Sequence, residues 1–336
     1  MKVFPIKFEV STWKYTKLFH SHFLLNIVTL GLYSAWLNIR TRQFFYSQAH
    51  INDSSFRYDA EPIKIMNFRL IIFTIIAFLV ASEFYSTLLT AILLTGFLFI
   101  FPELANYHIN YRLTHTSFRN IRFSFKANYR EAFIVFGLIL LTVPLSLGLT
   151  YPYFVYRKNQ YIYNSISYGK TEFTFNSKLI HYYEILGNVI LNLIFAVALI
   201  MFTSKSLTVL AHTQGLEILI SILIASAFLI YNWAYLITHK FNYDLEGIEI
   251  GEIRFQSDLV FSKVLSIMTI NFLIVVFSLG FLVPVAKLRL LTYKMSMISF
   301  CIDNEWQTLK AADRTTTRSL TERVQALTGI KLGLGT

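Results

Sequence analysis

The sequence predicts an all-α polytopic membrane protein. It reads as repeated helical hairpins with Gly/Pro breaks, plus short aromatic β-strands at the cytoplasmic face. Three observations carry that prediction. Apolar residues make up 55% of the 336 residues and charged ones 15%, where soluble domains carry about 25% charged residues. The apolar residues also gather into runs that approach or exceed the roughly 18–20 residues needed to cross a bilayer: Leu70–Ser82, Thr87–Phe101, Ala132–Leu149, Ile185–Phe202, Leu216–Ile237 and Val264–Val285. Finally, the runs recur with a shared internal spacing.

That spacing is anchored on Leu-Gly, which ends an apolar stretch at Leu30-Gly31, Leu147-Gly148 and Leu279-Gly280. Counting from each glycine, an arginine follows at plus nine (Arg40, Arg157, Arg289) and an aromatic at plus thirteen (Phe44, Tyr161, Tyr293). Two further copies lack the glycine. Zeros at Leu98 and Ile230 place Pro102 and Ala234 at plus four, Tyr107 and His239 at plus nine, and Tyr111 and Tyr243 at plus thirteen. At plus twenty-five stand Phe56, Phe123, Phe173 and Phe255, and the fifth copy departs with Glu305 beside Trp306.

The physical reading is local. Gly31, Gly148 and Gly280 permit a break in the helix. Pro152 and Pro284, and by the same offset Pro102, suit the first turn of a second helix, where no N–H is needed. The arginine and the aromatic four residues later share a helical face. Alternation in Phe56-Arg57-Tyr58, Phe123-Ser124-Phe125 and Phe173-Thr174-Phe175 argues for short strands. The units are residues 6–58, 121–175 and 253–306, joined by hydrophobic hairpins at 65–106 and 185–238, with a polar basic tail at 307–336.

Charge sets the topology. If each run crossed once, basic residues would fall on both sides. If every Leu-Gly unit enters and leaves on one side, Lys205 alone of the 30 Lys and Arg lies opposite. Positive-inside bias favours the second arrangement and places both termini in the cytoplasm. The net charge of +11 then reads as attraction to anionic headgroups. No nucleic-acid module accompanies it. A single cysteine, Cys301, excludes an internal disulfide, and the first 17 residues have no apolar core of a signal peptide.

The stretch Leu30-Gly31-Leu32-Tyr33-Ser34-Ala35-Trp36, followed by Arg40, Arg42 and Phe45-Tyr46, resembles the YjgN-like family of uncharacterised bacterial inner-membrane proteins. The resemblance covers roughly residues 8–300. The family's Tyr-x-Pro-Trp core is here Tyr33-Ser34-Ala35-Trp36, while later copies keep Pro152 and Pro284 but carry Tyr153 and Val285 in place of Trp. The resemblance implies a multi-pass protein of the inner (plasma) membrane and implies no activity.

Searches for chemistry return little. Gly169-Lys170-Thr171 ends like a phosphate-binding loop, but Asn164 stands where the first glycine belongs. The eight histidines are dispersed, so no metal site, cofactor or enzyme activity is expected. What remains is a set of polar groups in an apolar frame. Arg40, Arg157 and Arg289 are candidates for binding an anionic headgroup or solute, against a plain role in snorkelling to lipid. Asn188, Asn192 and Asn271 are candidate intramembrane polar groups, against routine interhelical hydrogen bonding. Trp36, Phe44, Tyr111, Tyr161, Tyr243 and Tyr293 are expected at the interface. Two functions fit: transport of a small or anionic solute, or binding of membrane lipids or a partner at the surface without transport. No particular protein partner is indicated.

Overall fold

A computed structural model describes residues 2–29, 31–51, 54–211 and 214–302. Leu30, Glu305, Trp306 and the tail at 307–336 lie outside the described residues. Eleven short strands and five helical hairpins alternate. The strands are β1 (Lys2–Pro5), β2 (Lys7–Phe8), β3 (Ala49–Ile51), β4 (Ser54–Tyr58), β5 (Thr116–Phe118), β6 (Ile121–Phe125), β7 (Ile166–Tyr168), β8 (Thr171–Phe175), β9 (Ile248–Ile250), β10 (Ile253–Ser257) and β11 (Ile298–Ile302).

The hairpins are α1 (Thr12–Val28) with α2 (Ser34–Gln48), α3 (Pro62–Glu83) with α4 (Thr87–Thr114), and α8 (Leu179–Ala211) with α9 (Gln214–Glu246). The last is α10 (Phe261–Phe277) with α11 (Val283–Ser296). Between the second and the fourth comes a hairpin whose first arm runs α5 (Tyr129–Ala132), a π-helical stretch Phe133–Ile139 and α6 (Leu140–Leu145), and whose second arm is α7 (Tyr151–Asn164).

The sheet overturns the all-α expectation. Its order is β1-β11-β10-β9-β8-β7-β6-β5-β4-β3-β2, antiparallel throughout. The two ends of that list are consecutive pieces of one chain, separated only by Ile6, whose N–H donates to the Ile298 carbonyl at 3.3 Å. The N-terminal segment therefore pairs on both sides, with β11 through Phe4↔Phe300 and with β3 through Lys7↔His50. The strands form a nearly closed barrel, which removes the exposed edges that isolated strands would present.

Going round the barrel, tight turns alternate with helical hairpins. The turns are made by residues able to adopt positive φ. Arg119 (49°) and Asn120 (63°) join β5 to β6, while Gly169 (61°) and Gly251 (58°) open the turns at β7–β8 and β9–β10. Positive φ at both central positions, or glycine at the first, matches the twist of antiparallel strands. Gly169-Lys170 is thus a strand turn. The described turns lie on one rim and the described helices leave from the other. Period-two patterning sends Ile121, Phe123 and Phe125 inward and Arg122 and Ser124 outward. The outer wall carries ion pairs, Lys126 with Glu172 and Arg254 with Glu249 at 3.2 Å. The Lys126 ammonium holds the Glu172 carboxyl below the usual carboxylate range.

The hairpins come in two lengths. Four helices are long and apolar enough to cross a membrane: Pro62–Glu83, Thr87–Thr114, Leu179–Thr203 and Leu216–Glu246. At 1.5 Å per residue, the 33-residue α8 and α9 reach about 50 Å. The other three hairpins are shorter. α1 and α10 have 17 residues, about 25 Å, and each turns at the Leu-Gly break. There Leu147 and Gly148 take φ of 51° and 89°, and Leu279 and Gly280 take 50° and 86°. Gly31, Gly148 and Gly280 each donate back to the helix, to Asn26, Val143 and Val275 at 2.8 Å, which satisfies a carbonyl the helix end leaves open. Leu147 is 94% exposed and Leu279 97%. Such tips suit lipid and oppose water.

Pro152 and Pro284 sit in the first turns of α7 and α11, as the spacing predicts. Pro102 does not break a helix. It lies inside α4, which runs through it, with its ring buried. The long span supplies enough flanking backbone hydrogen bonds to hold the helix across one missing donor. A close approach fixes Gly247, between α9 and β9. A Cβ there would stand 2.7 Å from Ser177 Cβ and 2.9 Å from Ser177 N. Gly247→Ala is expected to lower stability by about 1–3 kcal/mol, read as a denaturant midpoint of the detergent-solubilised chain.

Candidate functional site

The inward residues of the middle strand layer form one apolar ring. Cross-strand pairs Phe56↔Phe118, Phe123↔Tyr168, Phe173↔Ile250 and Phe255↔Phe300 follow one another round the wall. Rings touch across pairs, at 4.8 Å for Phe56–Phe118 and 5.1 Å for Phe123–Tyr168. Phe56, Phe123, Phe173 and Phe255, which share one offset in the sequence, all line a cavity of about 250 Å³ inside the barrel.

A second cavity of about 440 Å³ lies toward the helices. It shares Ile6, Phe56, Phe123 and Phe173 with the first, and adds Phe45 and Tyr46 from α2, Leu113 from α4, and Leu291 and Met295 from α11. The lumen is therefore walled by hydrocarbon and aromatic rings from the barrel interior up to the bases of the second helices. Both cavities fall within or near the range of about 300–1,000 Å³ typical of small-molecule sites.

The helix bases are latched to the rim by polar contacts the sequence offset had marked without explaining. Tyr111 Oη accepts from the backbone N–H of Glu61 at 2.9 Å and donates to its carbonyl at 3.1 Å. Tyr161 holds Asn128 in the same way, at 3.3 Å each, and Tyr293 accepts from Val260 N at 3.2 Å. In each case the partner is the N-cap residue of the first helix of the same hairpin. Phe44 stacks on Tyr15 at 5.8 Å, Tyr243 on His181 at 4.3 Å, and Trp36 on Tyr33 at 5.5 Å. These aromatics, expected at the lipid interface, are packed within their own hairpins.

The three plus-nine arginines are likewise engaged locally. Arg40 is exposed and acts on His22. Arg157 donates to Gln160 Oε1 at 2.5 Å, and Arg289 to Asn271 Oδ1 at 3.3 Å. Asn271 also donates to the Ala286 carbonyl at 2.8 Å, tying α10 to α11. Asn188 bonds back to Glu184 O at 3.0 Å, and Asn192 is half-buried on α8. None of these arginines or asparagines lines either lumen cavity, nor a third cavity of about 240 Å³ among α7, α8 and α9.

Two other basic groups gather at the helix bases. Lys240 pairs with Asp244, and Lys158 and Lys294 lie in electrostatic range of Lys240. On the opposite stretch of the rim, Arg42 of α2, Arg69 of α3 and Arg112 of α4 act on one another and on His108. Arg42 belongs to the motif that begins at Leu30-Gly31, whereas Arg69 and Arg112 do not. Those two sit on long hairpins that read as plain anchors, and nothing in their spacing announces that three helices meet there. Among the described residues, no group of three His, Cys, Asp or Glu comes together in a way that could hold a metal.

The profile of a bacterial protein family of unknown function, DUF898, matches residues 4–327. The chain belongs to that family. It is also 30% identical over 139 residues to "Inner membrane protein YjgN" of Salmonella typhimurium, a stretch covering 40% of this chain and 35% of that protein. The chain thus matches about a third of the length of its curated relative. No solved structure matches. The four apolar helices, together with the inner-membrane name of that relative, support a membrane location for this DUF898 chain.

Proposed function

We propose that this DUF898 protein binds membrane lipid, with the barrel seated at the cytoplasmic surface and accepting an acyl chain into its lumen from the helix side. The observation that carries the reading is the continuity of the two apolar cavities, which run from the barrel interior to the bases of membrane-inserted hairpins. The wall is almost wholly apolar, with hydroxyl groups only on Tyr46, Thr116 and Tyr168 among its lining side chains, so a polar solute would leave most of its polar groups unpaired, which is costly. This favours lipid binding over transport of an anionic solute. The hairpins would pass or re-enter the bilayer several times. Placing the barrel in the cytoplasm puts the basic residues at the rim ends of the hairpins on the cytoplasmic side, as positive-inside bias favours.

The test is photo-crosslinking in nanodiscs with a phospholipid carrying a diazirine at the end of one tail. Adducts are expected on Phe123, Phe173 or Met295. Replacing Ile6 by tryptophan, to fill the passage both cavities share, is expected to remove them while leaving adducts on the outer faces of α8 and α9. Adducts confined to those outer faces in the unaltered protein would overturn the reading.

A further inference from the structure

We infer that Arg42, Arg69 and Arg112 form a binding site for a phosphate group. The three side chains come from three different helices, α2, α3 and α4, in the halves of those helices nearer the barrel rim. Arg42 reaches Tyr58, whose ring packs on Tyr46 at 5.7 Å, and the three charges lie in electrostatic range of one another or of the shared neighbour His108.

No acid balances them. Among the described residues, no carboxylate is among the groups acting on Arg69, Arg112 or His108. The acids nearest Arg69 along the chain are committed elsewhere, Asp59 to Arg57 at 2.8 Å and Glu61 to Lys64 at 3.1 Å. The lysine group across the rim differs in this respect, because Asp244 sits within it. Like charges held together without a counterion repel, so the fold carries an electrostatic cost that an incoming anion would relieve.

Geometry selects the anion. Neutral partners orient each guanidinium and leave donors over. Arg42 donates to Tyr58 Oη at 3.4 Å and lies 5.8 Å over the Tyr58 ring. Arg69 donates to Ser34 Oγ at 2.5 Å. Arg112 lies in electrostatic range of Tyr46 and Tyr58. Arg69 and Arg112 are exposed and Arg42 half-buried, so the remaining N–H groups are reachable. Planar guanidinium forks match the oxygens of phosphate in pairs.

The site adjoins the lumen. Tyr46 and Leu113, the neighbours of these arginines on α2 and α4, line the larger cavity. A phospholipid whose tail enters the barrel would therefore bring its phosphate here. The inference rests on the lipid-binding reading only for the source of the phosphate. Free inorganic phosphate offers the same chemistry.

The experiment uses the full chain in detergent and maps phenylglyoxal modification of arginines by mass spectrometry. Three ligands are compared: a phosphatidylglycerol micelle, a phosphatidylcholine micelle of equal chain length, and inorganic phosphate. Selective protection of Arg42, Arg69 and Arg112, with Arg122 on the outer barrel wall still reacting, is the expected result. Protection by phosphatidylglycerol alone assigns the phosphate to an anionic lipid, and protection by inorganic phosphate assigns it to a free anion. Equal reactivity of the three arginines with and without every ligand would overturn the site. Losing two charged hydrogen bonds in the Arg42→Gln, Arg112→Gln variant is expected to weaken ligand binding by at least about tenfold. If the arginines are protected while diazirine adducts stay off the barrel, the phosphate site stands and the acyl-chain reading fails.

Discussion

Asp244→Ala is expected to destabilise the protein by about 3–5 kcal/mol, because it strips a mostly buried carboxylate from a cluster of half-buried cations. Asp244 is 16% exposed and pairs with Lys240. Its Oδ1 also accepts from Asn159 Nδ2 at 2.8 Å and from Tyr182 Oη at 2.5 Å. One side chain on α9 thereby joins α7 and α8 as well. Its removal leaves Lys158 and Lys294 in electrostatic range of Lys240 without that counter-charge, and orphans two buried donors. Asp244→Asn keeps an acceptor for one of those donors and should cost less. Unfolding in a titration of denaturing detergent, followed by tryptophan fluorescence, would give both values. A cost for Asp244→Ala of under about 1 kcal/mol, the level of an exposed pair, would mean that the cluster is solvated and that the contacts described here contribute little.

Phe300→Ala is expected to cost about 3–5 kcal/mol, the usual range for emptying a buried phenylalanine site. Phe300 is 2% exposed and lies on β11, where the barrel closes. It faces Phe4 on one side and Phe255 on the other, with ring centroids 5.6 and 6.5 Å away. The cavity left behind would open at the one place where pairing joins residues from opposite ends of the chain. Hydrogen exchange should show the effect first in β1 and β11, with β6 and β7 still protected. Uniform loss of protection across all strands would show instead that the barrel unfolds as one unit with no weak seam.

How much of this was open to a reader of the sequence depends on the range of the interaction. The apolar runs, the Leu-Gly breaks and the proline starts at Pro152 and Pro284 are local events, decided by residues within a turn of one another. The plus-thirteen tyrosines were visible as an offset, but their work was not. A hydroxyl that clamps the N-cap residue of Glu61 or Asn128 reaches across 50 or 33 residues, and no local pattern encodes the partner. Pro102 misled for the opposite reason. Its local preference for a helix start was overridden by the long hairpin around it.

The sequence by itself determined that the chain carries membrane-length apolar helices and short aromatic strands, because hydropathy and alternation are properties of short segments. Tertiary structure alone decided that those strands close into a barrel. Each has only two to five residues, too few to signal a sheet, and the closing pairs, such as Phe4↔Phe300, lie almost the whole chain apart. The same holds for the Arg42, Arg69 and Arg112 cluster. Each arginine alone reads as a snorkelling surface charge, and only the packing of three helices on one rim turns them into a common electrostatic field.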